Sequence, residues 1–325
     1  MQQSVATAPA SATPRTAKRG GGIGDPIFSA LCHSAGAFVL VLLGAIILSL
    51  FIGAWPALKT FGLPFVWSTD WDPVQEVFGA GVSIYGTLVT AVLALLLAVP
   101  LAFGVAIYLT ELAPTWLRGP VGTAIELLAA VPSIIYGMWG FFLIVPIMAS
   151  TVQPVVIDTV GELPLVGALF QGPPFGTGIF TAALILAIMV LPFIAATMRD
   201  VFSQVPGVYK ESAFGLGATT WEVVGGVILP YTKTSVAGGI MLGLGRALGE
   251  TMAVTFVIGN ANRIGTSLFA SGNTIASLVA LEFGESELGS LKLSALLALG
   301  FLLFVISFIV LALSRYLLRP SLATR

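Results

Sequence analysis

Six stretches of this sequence run for about twenty residues or more with almost no charge: 31–53, 81–108, 122–149, 177–197, 236–258 and 289–313. A hydrocarbon core about 30 Å thick is crossed by roughly 20 apolar residues in helical form. Inside lipid the backbone must satisfy its own hydrogen bonds, so each stretch is expected as a helix. Charged residues make up 9% of the 325. A soluble domain carries about 25%. The expected fold class is therefore all-α, a polytopic membrane bundle of six transmembrane helices. Residues 25–325 are expected to form this transmembrane domain.

Residues 1–24 are small and polar, with Arg15, Lys18 and Arg19 as their basic residues. Such a segment buries too little to fold and is expected to be a disordered cytoplasmic tail. Basic residues before an apolar run also begin a signal peptide. The run over 31–52 is too long for a signal core and lacks a clear cleavage site, so it is expected to be a retained first span.

Basic residues orient the bundle. With the N-terminus inside, the inner side holds Arg15, Lys18, Arg19, Arg118, Arg199, Lys210, Lys233, Arg315, Arg319 and Arg325. The outer side keeps Lys59 and Arg263, with Lys292 at a boundary, and is otherwise acidic. The expectation is a multi-pass protein of the plasma (inner) membrane with both termini cytoplasmic. Net charge is −1, which excludes a general electrostatic attraction to nucleic acid. Cys32 and His33 are the sole cysteine and histidine, too few for a disulfide or a cysteine-based zinc site. Pro100, Pro132, Pro146 and Pro192 fall inside the apolar stretches and are expected to kink them.

The inner connector, about 198–235, carries the most specific pattern. Glu211, Ser212 and Ala213 are followed by Gly217, and then by Val227, Leu229 and Pro230. This resembles the cytoplasmic signature of ABC-importer permeases, with Ser212 in place of an alanine and Val227 in place of an isoleucine. A short helix there is expected to dock on a soluble subunit, with Glu211 as a charged contact and Gly217 either ending the helix or turning the chain. A phosphate-binding Walker loop needs Gly-Lys followed by Ser or Thr. No Gly-Lys dipeptide occurs in the chain, so ATP chemistry would belong to a partner.

Arg246 and Glu250 lie inside the fifth stretch. Four residues apart on a helix, two side chains share a face. Each charge costs about 2.5–3.5 kcal/mol at mid-membrane, so the pair is expected to face the bundle interior or a wet pathway. The alternative is a permanent salt bridge that fixes packing. Arginine donates two parallel hydrogen bonds to an oxyanion. Gly239 and Gly243, then Gly245 and Gly249, repeat at the spacing that lets membrane helices approach closely. A crowded contact with a second permease subunit is expected there. Ser133, Tyr136, Thr251 and Thr255 are further polar candidates for a pathway.

The segments ELLAAVPSIIYGMWGF, 126–141, and GGIMLGLGRALGETMAVTFVIGN, 238–260, resemble the third and fifth spans of phosphate ABC importer permeases. The resemblance covers about residues 30–318. It implies a type I ABC-importer (MetI-like) fold. It implies Arg246 and Glu250 on the substrate pathway, and Glu211, Ser212, Ala213, Gly217, Leu229 and Pro230 in the ATPase-coupling loop. The implied partners are a second homologous permease subunit, two ATP-binding subunits, an extracytoplasmic phosphate-binding protein and membrane lipid. No cofactor is implied on this chain; ATP and magnesium belong to the partner ATPases. A permease for another oxyanion, the paralogous second permease and, in a different class, an ion-coupled secondary transporter remain the competing readings.

Overall fold

The computed structural model describes residues 24–164 and 166–317. The expected tail lies outside these residues except for Gly24, which opens the first helix. Arg15, Lys18, Arg19, Arg319 and Arg325 also lie outside them. Among the described residues, six helices are long and apolar enough to cross a membrane.

Helix α1 runs Gly24–Phe61, longer than expected at both ends. The chain divides into two compact units after Leu48. In the first, residues 25–46 are exposed on every side of the helix. A helix that is apolar all round and uncovered belongs in hydrocarbon.

The second unit holds the bundle. Its first turns include a two-stranded antiparallel hairpin, β1 (Trp71–Asp72) and β2 (Val77–Phe78), a small addition to an all-α expectation. The second span, α2, is Gly81–Leu112. It is α-helical to Ile107 and ends in a wider π turn over Tyr108–Leu112. The expected third stretch, 122–149, divides in two. Helix α3 is Thr115–Ala129, and the third span, α4, is Ser133–Thr159. Pro132 causes the break, because the residue before a proline is pushed out of helical geometry.

The fourth span, α5, is Ile179–Ser203 and is the most enclosed of the six. Ala91, Ala94, Ala98, Ala102 and Ala106 of α2 are all fully buried. Their spacing of three or four residues places them on one helix face. They join Ile185, Leu186, Met189, Val190 and Ile194 of α5 in the main core. Small residues let the two helices approach closely, the usual solution where lipid supplies no hydrophobic drive.

Helix α6 is Gly207–Gly215. The fifth span, α7, is Thr220–Leu248, followed by the short α8, Met252–Thr255. Helix α9 is Ile275–Glu282, and the sixth span, α10, is Leu291–Leu317. The connector between α8 and α9 closes over the start of α5. The N–H groups of Gly178, Ile179 and Phe180 donate to the carbonyls of Val257, Ala270 and Leu268. Donors that a helix start leaves unpaired are thereby satisfied. A second core joins the end of α1, Phe65, Phe78, α9 and α10.

Candidate functional site

The fifth stretch was expected as one helix over 236–258. Instead α7 begins sixteen residues earlier, at Thr220, and stops at Leu248, with Gly249 as its C-cap. Thr219 and Glu222 form a capping box that starts α7. Arg246 lies in the last turn, where a cation meets the negative end of the helix dipole. Its guanidinium carbon is 5.7 Å from the centre of the Phe193 ring of α5. Its Nε is buried and has no partner within the described chain. The Tyr136 hydroxyl of α4 donates to the carbonyl of Leu128 at 2.9 Å.

Glu250 does not pair with Arg246. The helix has ended, so the four-residue spacing no longer puts the two on one face. The Glu250 Oε1 instead accepts the N–H of Ala253 at 3.2 Å and caps α8. The permanent salt bridge, the alternative that the sequence left open, is not formed. Thr255 donates to the carbonyl of Thr251 at 2.7 Å, and Thr251 to that of Gly249 at 3.4 Å. Ser133 opens α4 and is half-buried. The glycine spacing also acts differently. A Cβ on Gly243 would meet Ile194 at 2.7 Å, and one on Gly239 would meet Thr197 at 3.0 Å. Both neighbours belong to α5 of this chain, so the crowding lies within the subunit. Gly245 meets only ordinary contact, with Leu311 at 3.7 Å, and Gly249 is exposed.

The coupling loop is more compact than 198–235. Residues 198–203 complete α5, and 220–235 already belong to α7. Glu211 and Ser212 are exposed on α6, and the Ser212 hydroxyl donates to the carbonyl of Val208 at 2.6 Å. Ala213 packs inward against the main core with Ala218, Val227 and Leu229. Gly217 adopts φ +87°, a conformation that favours glycine. The N–H of Ala218 donates to the carbonyl of Ala213, and that of Gly217 to Phe214. These two bonds make a Schellman cap, so the glycine of the signature is a helix terminator. Pro230, exposed, stands where α7 resumes regular α geometry. Around Glu211 the loop presents Val208, Tyr209, Leu216 (91% exposed) and Trp221 (76% exposed).

Residues 98–320 match the family model described as binding-protein-dependent transport system inner membrane component. The chain belongs to this family. Related permeases named "Phosphate transport system permease protein PstC" come from Pasteurella multocida, Mesorhizobium japonicum and Haemophilus influenzae. The first is 60% identical over 86% of this chain and 87% of its own length. The others are 56% identical over 90% of both chains, and 57% identical over 88% and 90%. Among solved structures, a bacterial alginate ABC transporter covers 93% of this chain and 98% of its own at TM-score 0.60 and 18% identity. The inward-facing MetNI methionine ABC transporter covers 76% and 95% at TM-score 0.51 and 17% identity. The fold is that of a type I ABC-importer permease, and the protein is a multi-pass membrane permease subunit.

This permease has polar ties that its sequence did not disclose. Arg199 at the end of α5 pairs with Glu126 of α3 and with Asp200, at 2.5 and 2.9 Å. Lys210 of α6 pairs with Glu111 at the end of α2, at 2.6 Å. Lys292 pairs with Glu282 at 3.2 Å, and the Trp71 indole donates to the same carboxylate. Glu126 and Arg199 are 73 residues apart, Glu111 and Lys210 are 99, and Trp71 and Glu282 are 211. No local pattern marks such pairs.

Proposed function

We propose that this permease carries inorganic phosphate inward as one subunit of an ATP-driven importer. The observation that carries the reading is the likeness, at 54–60% identity over most of the chain, to permeases named for phosphate transport. The chemistry of Arg246 supports it. A guanidinium stays charged at any physiological pH and donates to two oxyanion oxygens at once. Held against Phe193 by a cation–π contact, Arg246 is pre-oriented and keeps its remaining N–H groups for a passing anion. Glu250, occupied in capping α8, does not neutralise it.

In this reading the permease pairs with a second homologous permease, and two ATP-binding subunits supply hydrolysis on the cytoplasmic side. A phosphate-binding protein delivers its load to the acidic outer face. Both termini are cytoplasmic. The loop around Glu211 docks in the ATPases through Val208, Tyr209, Leu216 and Trp221, and passes their closure along α7 to Arg246. The chain itself binds no ATP or magnesium. The test is uptake of radiolabelled phosphate by starved cells that lack their own high-affinity importer. The cells carry the other components with or without this chain. Uptake that requires the chain and yields to unlabelled phosphate but not to sulfate is the expected result. Competition by sulfate would move the reading to another oxyanion.

A further inference from the structure

Helix α6 is nine residues long and packs mainly on the first turns of α7. Its second attachment is ionic. The Lys210 ammonium lies 2.6 Å from Glu111, with side chains only 17% and 8% exposed. The Glu126 and Asp200 carboxylates that pair with Arg199 are 55% and 65% exposed, so water screens those pairs far more. Glu111 sits in the π turn that ends α2. A π turn inserts an extra residue and re-aims the chain beyond it, and such turns recur at functional positions. Here the turn holds the carboxylate that receives the coupling helix.

We infer that Lys210 and Glu111 are positioning residues that bind α6 to α2, so that the movement of the ATPases reaches two spans at once. An apolar contact between a short helix and a span end permits sliding. A buried ion pair does not, because separating the charges leaves each without water or partner. The first route runs along the chain from α6 into α7 and Arg246. The second runs through Glu111 into α2, which packs most extensively on α5. Helix α5 carries Phe193 beneath Arg246. Driving α7 and α2 together keeps both sides of the arginine site in step. The inference rests on the importer reading above and names the residues that carry its coupling.

The experiment uses the complete complex in proteoliposomes with loaded phosphate-binding protein. Lys210→Met keeps the length of the side chain and removes its charge. Phosphate uptake is expected to fall about tenfold in this variant while stimulated ATP hydrolysis stays within about twofold. Reversal of the pair, Glu111→Lys with Lys210→Glu, is expected to restore uptake. Unchanged uptake in Lys210→Met, or hydrolysis falling in step with uptake, overturns the inference. A second measurement does not depend on the substrate. Spin labels at Leu112→Cys and Gly215→Cys, in a Cys32→Ser background, report the separation of α2 and α6. The same distance distribution without nucleotide and with trapped ATP supports one moving body. Separation on ATP binding overturns it. If the unaltered chain imports no phosphate, the substrate reading fails and the distance measurement still decides the coupling.

Discussion

Gly217 and Glu250 show how single residues set the geometry of the two sites. At φ +87°, Gly217 lets α6 end in a cap whose bonds run back to Ala213 and Phe214. A side chain in this conformation costs about 1–2 kcal/mol. Gly217→Ala is therefore expected to reduce co-purification of the ATP-binding subunits, and Gly217→Asn to reduce it less. Equal retention by all three forms would show that the cap does not support docking. Glu250 lies two residues before α8 and accepts a backbone N–H there. Its loss in Glu250→Ala is expected to destabilise the permease by about 1 kcal/mol, read as a lower melting temperature in detergent, with Glu250→Asp closer to the parent. A carboxylate whose task was to neutralise Arg246 would instead show its loss in transport with stability unchanged.

The elements are held by close approach as much as by apolar burial. A Cβ on Gly86 would stand 1.9 Å from the backbone oxygen of Asn273, where the connector before α9 presses on α2. Thr87 accepts the N–H of Ile275 at 3.0 Å in the same contact. Backbone cannot rotate away, so Gly86→Ala is expected to cost about 1–3 kcal/mol. Gly243→Ala meets the end of the Ile194 side chain, which can move, and is expected to cost less. The order of the two melting temperatures checks this. Hydropathy made the six spans legible, because a helix in lipid needs length and apolar composition above all. It did not disclose the end of α7. The run Met252–Ile258 stays apolar after Gly249, and only the turn itself distinguishes α8 from a continued helix. The early start of α7 did have a local signal, because Thr219 and Glu222 stand at the Thr-x-x-Glu spacing of a capping box, but the polar residues after them mask it in hydropathy. The loop signature was legible in spacing, and of the two roles its glycine offered, ending the helix or turning the chain, the cap shows the first. The ionic tie from Lys210 to Glu111 was not, because tertiary packing alone brings residues 99 positions apart together.

At the scale of the whole molecule, six spans put the connectors after the first, third and fifth on one side and those after the second and fourth on the other. In the proposed orientation the second set, which carries most of the basic residues, is cytoplasmic. In a Cys32→Ser background, Val74→Cys (92% exposed) is expected to react with an impermeant thiol reagent added to spheroplasts. Leu216→Cys is expected to react only after the membrane is opened. The reverse pattern would invert the topology and put the coupling loop out of reach of ATP. Passage of phosphate by Arg246 is tested by comparing the parent with Arg246→Gln and Arg246→Lys in initial rates of phosphate uptake. Gln removes the charge and Lys removes the planar fork. Passage by Arg246 requires that Gln abolish uptake and Lys leave a small fraction, with membrane abundance and nucleotide-bound assembly unchanged. Uptake at the parental rate in Arg246→Gln would contradict it.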